Sequence, residues 1–130
     1  MVNMAKFQRS ITYKPKIDAF LSGECIQTIR KGRKIAVGDL ILFFAWVDRP
    51  YRSKWAWRQL VKVAYVENII ADRYGVLFES TGITQKWQDL DYLAAYDGIV
   101  PPTGLELRRV LFPNLKKIPK NGEKMQIIRW

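Results

Sequence analysis

Three groups of residues in this 130-residue chain have types and spacings that could do chemistry. The first is Cys25-Ile26-Gln27-Thr28-Ile29-Arg30, which sets a thiol, a hydroxyl and a guanidinium close together. In an extended segment side chains alternate between faces, so Thr28 and Arg30 share one face while Gln27 and Ile29 take the other. A hydroxyl beside a guanidinium can hydrogen-bond a base or a phosphate, and it becomes a nucleophile where a base stands near. The second group is Arg30, Lys31, Arg33 and Lys34 around Gly32. Guanidinium groups hold phosphate oxygens in pairs, and a glycine lets the backbone approach them, but the same run also suits a solvated turn. The third group interleaves Arg52, Lys54 and Arg58 with Trp55 and Trp57. Cations that hold a backbone beside rings that stack bases are the means by which single strands are bound. Trp55 and Trp57 also share a strand face with Val61 and Val63, which makes them candidates for the core.

The residues that are missing exclude much. The chain has no histidine and a single cysteine, Cys25. A Ser-His-Asp or Cys-His arrangement is therefore impossible, and zinc lacks its usual ligands. No metal and no cofactor are expected. An enzyme built from this chain must work with Lys, Asp/Glu, Tyr, Thr, Ser or Cys25. Asp97, just before Gly98, reads most simply as a helix-end residue, with a carboxylate role in a cleft as the alternative.

Charge gives the expected partner. Lys plus Arg number 22 against 12 acidic residues, a net charge of +10. Such a field attracts polyanions, nucleic acid first and an anionic membrane surface second. The longest apolar run, Leu40 to Val47, is far short of the ~20 residues a membrane-spanning helix needs. The segment Met1 to Ser10 lacks the apolar core of a secretory leader. The expectation is a cytoplasmic protein that does not insert in a membrane, with residues 1–130 forming one domain.

These side chains need elements to position them. Phe7–Tyr13 reads as a strand. Pro15 suits the first turn of a helix, Ile17, Phe20 and Leu21 give it an apolar face, and Gly23 stops it. Cys25–Arg30 reads as a strand, 31–39 as a basic loop, and Leu40–Val47 as a strand buried on both faces. Pro50 marks a turn, the segment 55–70 reads as one long strand, and Gly75–Ser80 as another. From Thr84 the period changes: Thr84 is placed as the N-cap of a helix to Tyr96, with Trp87, Leu90, Leu93 and Ala94 on its apolar face. A second helix follows Pro101-Pro102-Thr103 and ends before Pro113, and Met125–Trp130 closes as a strand. The fold class expected is α+β: a small, mostly antiparallel β-barrel with helices packed at its openings.

Phe20-Leu21-Ser22-Gly23, Thr28-Ile29-Arg30, Gly38-Asp39 and Asp97-Gly98-Ile99, in this order and with compatible spacing, resemble the ASCH domain of the PUA-like superfamily. The resemblance covers about Phe7 to Trp130. It implies a PUA-like barrel with a cleft beside the first helix, suited to a nucleobase, a nucleotide or RNA. One branch of the family is similar to amidohydrolases that release the acetyl group of N4-acetylcytidine. There Gly-x-Lys-x-x-Thr-x-Arg follows the helix, and lysine, threonine and a later acid form the site. Here Thr28 and Arg30 match, Cys25 stands where the lysine is expected, and the acid falls on Asp97.

The departure at Cys25 favours a binding module over an enzyme, because a thiol of ordinary pKa is a poor base at neutral pH. The first expectation is thus a nucleic-acid-binding module using Thr28, Arg30, Lys31, Arg33, Lys34, Arg52, Lys54, Trp55 and Arg58. The alternative is a small hydrolase of RNA or of an acylated nucleoside, using Thr28 or Cys25 with Asp97, and with Lys31 or Lys34 swinging in as the amine. A third possibility is an accessory domain whose charge serves solubility or an acidic protein partner.

Overall fold

A computed structural model describes residues 7–46 and 55–130, with the side chain of Trp55 outside that description. The described chain is α+β, with mostly antiparallel strands and three α-helices. Strands β1 (Phe7–Ser10), β3 (Leu40–Trp46) and β4 (Trp55–Lys62) form one sheet in the order β1-β3-β4. Strands β2 (Gln27–Lys31), β5 (Tyr65–Ala71), β6 (Gly75–Phe78), β7 (Ile83–Lys86) and β8 (Glu123–Arg129) form the other, in the order β2-β8-β5-β6-β7. The helices are α1 (Lys14–Ser22), α2 (Asp91–Tyr96) and α3 (Gly104–Leu111). The expected barrel is not closed: the strands pair within two separate sheets. Among the described residues no helix is long and apolar enough to cross a membrane.

Several expectations are corrected. The segment 55–70 is two strands, not one. The chain leaves the first sheet after Lys62 and joins the second at Tyr65, with Val63 fully buried at the corner. An apolar period of two continues through such a corner, so alternation alone does not reveal it. Thr84 is not a helix N-cap. Thr84 to Lys86 pair with β6, with Lys86 opposite Gly75. The helix begins only at Asp91, after a 3-10 turn over Trp87–Asp89. The inward face of the predicted helix survives, since Trp87, Leu90, Leu93 and Ala94 are all buried. The first strand is shorter than expected and runs parallel to β3.

Helix α1 carries Pro15 in its first turn and ends on Gly23 in the left-handed conformation. Its inward face differs from the expected one: Lys16 and Phe20, four residues apart, are buried, whereas Leu21 is exposed. Phe20 stacks on Trp57 and packs edge-on against Phe43 and Trp130. These rings belong to a cluster with Ile41, Val61, Val63 and Ile128 that joins both sheets to α1. A second cluster lies on the other face of the five-stranded sheet, where Ile69, Met125 and Ile127 meet Trp87, Leu93 and Leu107. Buried Trp87 satisfies its indole N–H on the Asp72 carbonyl at 2.8 Å. The interior strand β8 is thus covered on both sides and fixes the position of its neighbour β2.

Candidate active site

Strand β2 pairs with β8 so that Thr28 stands opposite Ile128 and Ile29 opposite Ile127. Ile29 faces α2 and α3, and Thr28 faces α1. Helix α1 presents Lys16 to that face. Lys16 is 7% exposed, and its ammonium donates to Thr28 Oγ1 at 3.0 Å and to Asp97 Oδ2 at 3.0 Å. Arg30, on the same side of β2, donates from Nε to Thr28 Oγ1 at 3.0 Å and from its terminal nitrogen to the Ser10 carbonyl at 3.1 Å. One hydroxyl oxygen therefore accepts from two cationic donors.

Asp97 arrives from the end of α2. Gly98 makes this approach possible: its φ is +72°, and a Cβ there would lie 3.2 Å from both the Lys16 Cα and the Ala19 Cβ. Only glycine takes both the left-handed conformation and so close a packing without strain. Asp97 is 2% exposed, and its Oδ1 makes no hydrogen bond among the described residues, although the Gln27 amide is near enough to favour the charged form. Burial is the largest influence and raises the Asp97 pKa, with Lys16 pulling the other way. Burial likewise lowers the pKa of Arg30, with Asp97 opposing. A guanidinium stays charged through such a shift.

The cluster lines a cavity of about 140 Å³ whose rim includes Thr12 and Tyr13, with Val110 and Leu111 as an apolar wall. The arrangement matches a nucleophile held by an amine that is itself oriented by a third group.

The structure brings together Thr28, Arg30 and Asp97 among the residues expected from sequence. It adds Lys16, which is not among the residues expected from sequence. The signal was present: Lys16 lies four residues before Phe20, on the helix face that points inward. The amine beside Thr28 comes from Lys16 of α1, and neither Lys31 nor Lys34 lines the cavity. Cys25 is 1% exposed and donates its thiol to the Gln27 carbonyl at 3.3 Å. Burial pushes the pKa of this thiol up, the reverse of what a thiolate nucleophile requires.

The remaining expected residues lie elsewhere. Lys31 is exposed, 3.7 Å from Glu123. Arg33 is fastened to both carboxylate oxygens of Glu79 and to the Ile69 carbonyl. Lys34 is exposed on the following turn, and Arg58 is exposed on β4 in the other sheet. Arg52 and Lys54 fall outside the described residues, and for Trp55 only the backbone, at the start of β4, is described. Among the described residues no three His, Cys, Asp or Glu side chains gather as a metal-binding set. No family model, curated protein or solved structure matches the chain.

Proposed function

We propose that the chain is an ASCH-type domain with an open PUA-like barrel, and that it hydrolyses the amide of a small acylated nucleoside of the N4-acetylcytidine kind. The observation that carries this reading is the pair of cationic donors on Thr28 Oγ1, each at 3.0 Å. Two positive charges on one hydroxyl oxygen lower the cost of its alkoxide. Transfer of a proton from the Lys16 ammonium to Asp97 Oδ2, its acceptor at 3.0 Å, leaves a free amine. That amine accepts the Thr28 hydroxyl proton as Oγ1 attacks the acyl carbon. Arg30 is near enough to hold the oxyanion, and Lys16 passes the proton to the departing nitrogen. Water then cleaves the Thr28 ester by the reverse route and releases the carboxylic acid. Lys16 is the base, Thr28 the nucleophile and Asp97 the group that orients and relays.

Incubation with N4-acetylcytidine, followed by chromatography of the products, tests the reading. Cytidine and acetate are expected from the unaltered protein, with turnover reduced about a hundredfold or more in Thr28→Ala and Lys16→Met. Equal turnover in Thr28→Ala would remove this mechanism.

Nucleic-acid binding is the second reading, and the net charge of +10 favours it. Among the cations expected from sequence, Lys31, Lys34 and Arg58 stand exposed to phosphate. RNA affinity that falls steeply with added salt is the expected signature.

A further inference from the structure

The opposite face of the five-stranded sheet carries a second cavity, of about 300 Å³, which the Thr28 site does not use. Register places Tyr65 opposite Arg129 and Glu67 opposite Ile127, so these side chains share the face away from Thr28. Phe78 of β6 and Tyr92 of α2 supply further walls. Two charged groups stand at this cavity without neutralising each other.

Arg129 is held by its Nε on the Gln27 side-chain oxygen at 2.9 Å, with its guanidinium 4.9 Å from the Tyr65 ring centre and 5.0 Å from that of Tyr96. Its terminal nitrogens have no acceptor among the described residues. Glu67 is 7% exposed; one carboxylate oxygen accepts from the Ser80 hydroxyl, and the other has no partner among the described residues. The two residues sit one diagonal step apart across β5 and β8, and no ion pair within 4.0 Å joins them. A carboxylate only accepts and a guanidinium only donates. A ligand between them must therefore offer N–H donors on one edge and acceptors on another, and the aromatic walls require it to be flat.

We propose that this cavity binds a guanine ring. Guanine alone among the common bases sets two N–H donors side by side, N1 and N2, and it carries O6 and N7 as acceptors. Glu67 takes the donor edge, Arg129 the acceptors, and Tyr65, Phe78 and Tyr92 the faces. The ring can belong to a free nucleotide or to an unpaired residue of RNA.

The experiment is NMR titration of the full chain with GMP, AMP and CMP, and with guanine-containing and guanine-free RNA hexamers. Shifts confined to Tyr65, Glu67, Phe78, Tyr92 and Arg129 on adding GMP, weaker with AMP and CMP, are expected. Response to GMP identifies the mononucleotide as the source; response to the guanine-containing hexamer alone identifies RNA. Glu67→Gln keeps the shape and the Ser80 contact, and should weaken guanine binding about tenfold or more. Tyr92→Ala, on the exposed wall, provides a second variant should Glu67→Gln fold poorly. Thr28→Ala, on the opposite face, should bind as the unaltered protein does, which separates this cavity from the hydrolytic site. The proposal is overturned if neither GMP nor the guanine-containing hexamer shifts these residues, if AMP or CMP binds equally, or if both variants bind unchanged.

Discussion

Two ion pairs in this molecule have carboxylates whose pKa values move in opposite directions. Lys16–Asp97 is buried between α1 and the end of α2, with Asp97 pushed up by burial. Arg33–Glu79 joins the loop after β2 to the residue that follows β6, partly open to water, and the hydrogen bonds from Arg33 hold Glu79 below the usual carboxylate range. The partner is a cation in both. The difference is the cost of removing charge from water, which in the buried pair outweighs the attraction and in the exposed pair does not. A pair that exists mainly to stabilise a fold has no need of the first environment. The proposed proton relay does, because Asp97 accepts from the Lys16 ammonium at 3.0 Å in a site closed to water.

Breaking the buried pair should give the largest effect. Lys16→Met leaves Asp97 buried without its cation and is expected to cost about 3–5 kcal/mol in urea unfolding. Adding Asp97→Leu to Lys16→Met should return part of that loss, because no unpaired charge remains. A double variant no more stable than the single one would show that packing, and not charge, dominates there.

The geometry that delivers Asp97 comes next. Gly98→Ala should destabilise by at least ~1–2 kcal/mol from the left-handed backbone alone. The close contact with α1 adds to this, and Asp97 should be displaced from Lys16. Thermal unfolding and hydrolytic activity measured together check both consequences.

The pH dependence sharpens the contrast through its sign. A raised folded-state pKa at Asp97 contributes stability that is fully present below about pH 4, near the unfolded Asp value, and is lost as pH rises through the folded value. Glu79 has a lowered folded-state pKa, so its contribution is present above the unfolded Glu value and is lost as pH falls through the folded one. Subtracting the melting curves of Asp97→Asn and Glu79→Gln from that of the unaltered protein should give differences of opposite slope. Equal slopes would contradict the assignment. Cys25→Ala should change activity least of all, because the thiol faces the core; a large loss of turnover in a folded Cys25→Ala would put the thiol back in the reaction.

Much of the frame is legible in the sequence because it rests on local signals. Pro15 and Gly23 bound α1, alternation puts Thr28 and Arg30 on one face, and the run Trp87, Leu90, Leu93 and Ala94 marks an inward face. The sheet change at Val63 is set by β8, a partner distant in the chain, and no local propensity encodes it. The strand at Thr84–Lys86 pairs with nearby β6, but the inward helical spacing that begins at Trp87 masks it. Lys16 was hidden for a related reason. A lysine on an amphipathic helix reads as solvated until the Thr28 strand and the Asp97 turn arrive to give it partners, and these stand 12 and 81 positions away.

The most direct test of the central claim is mass spectrometry of the protein quenched in acid during turnover of N4-acetylcytidine. The account predicts an acetyl group on the peptide containing Thr28, lost in Thr28→Ala and absent or much reduced in Lys16→Met. Acetate release with no adduct on Thr28, or an adduct on Cys25 in its place, would contradict it.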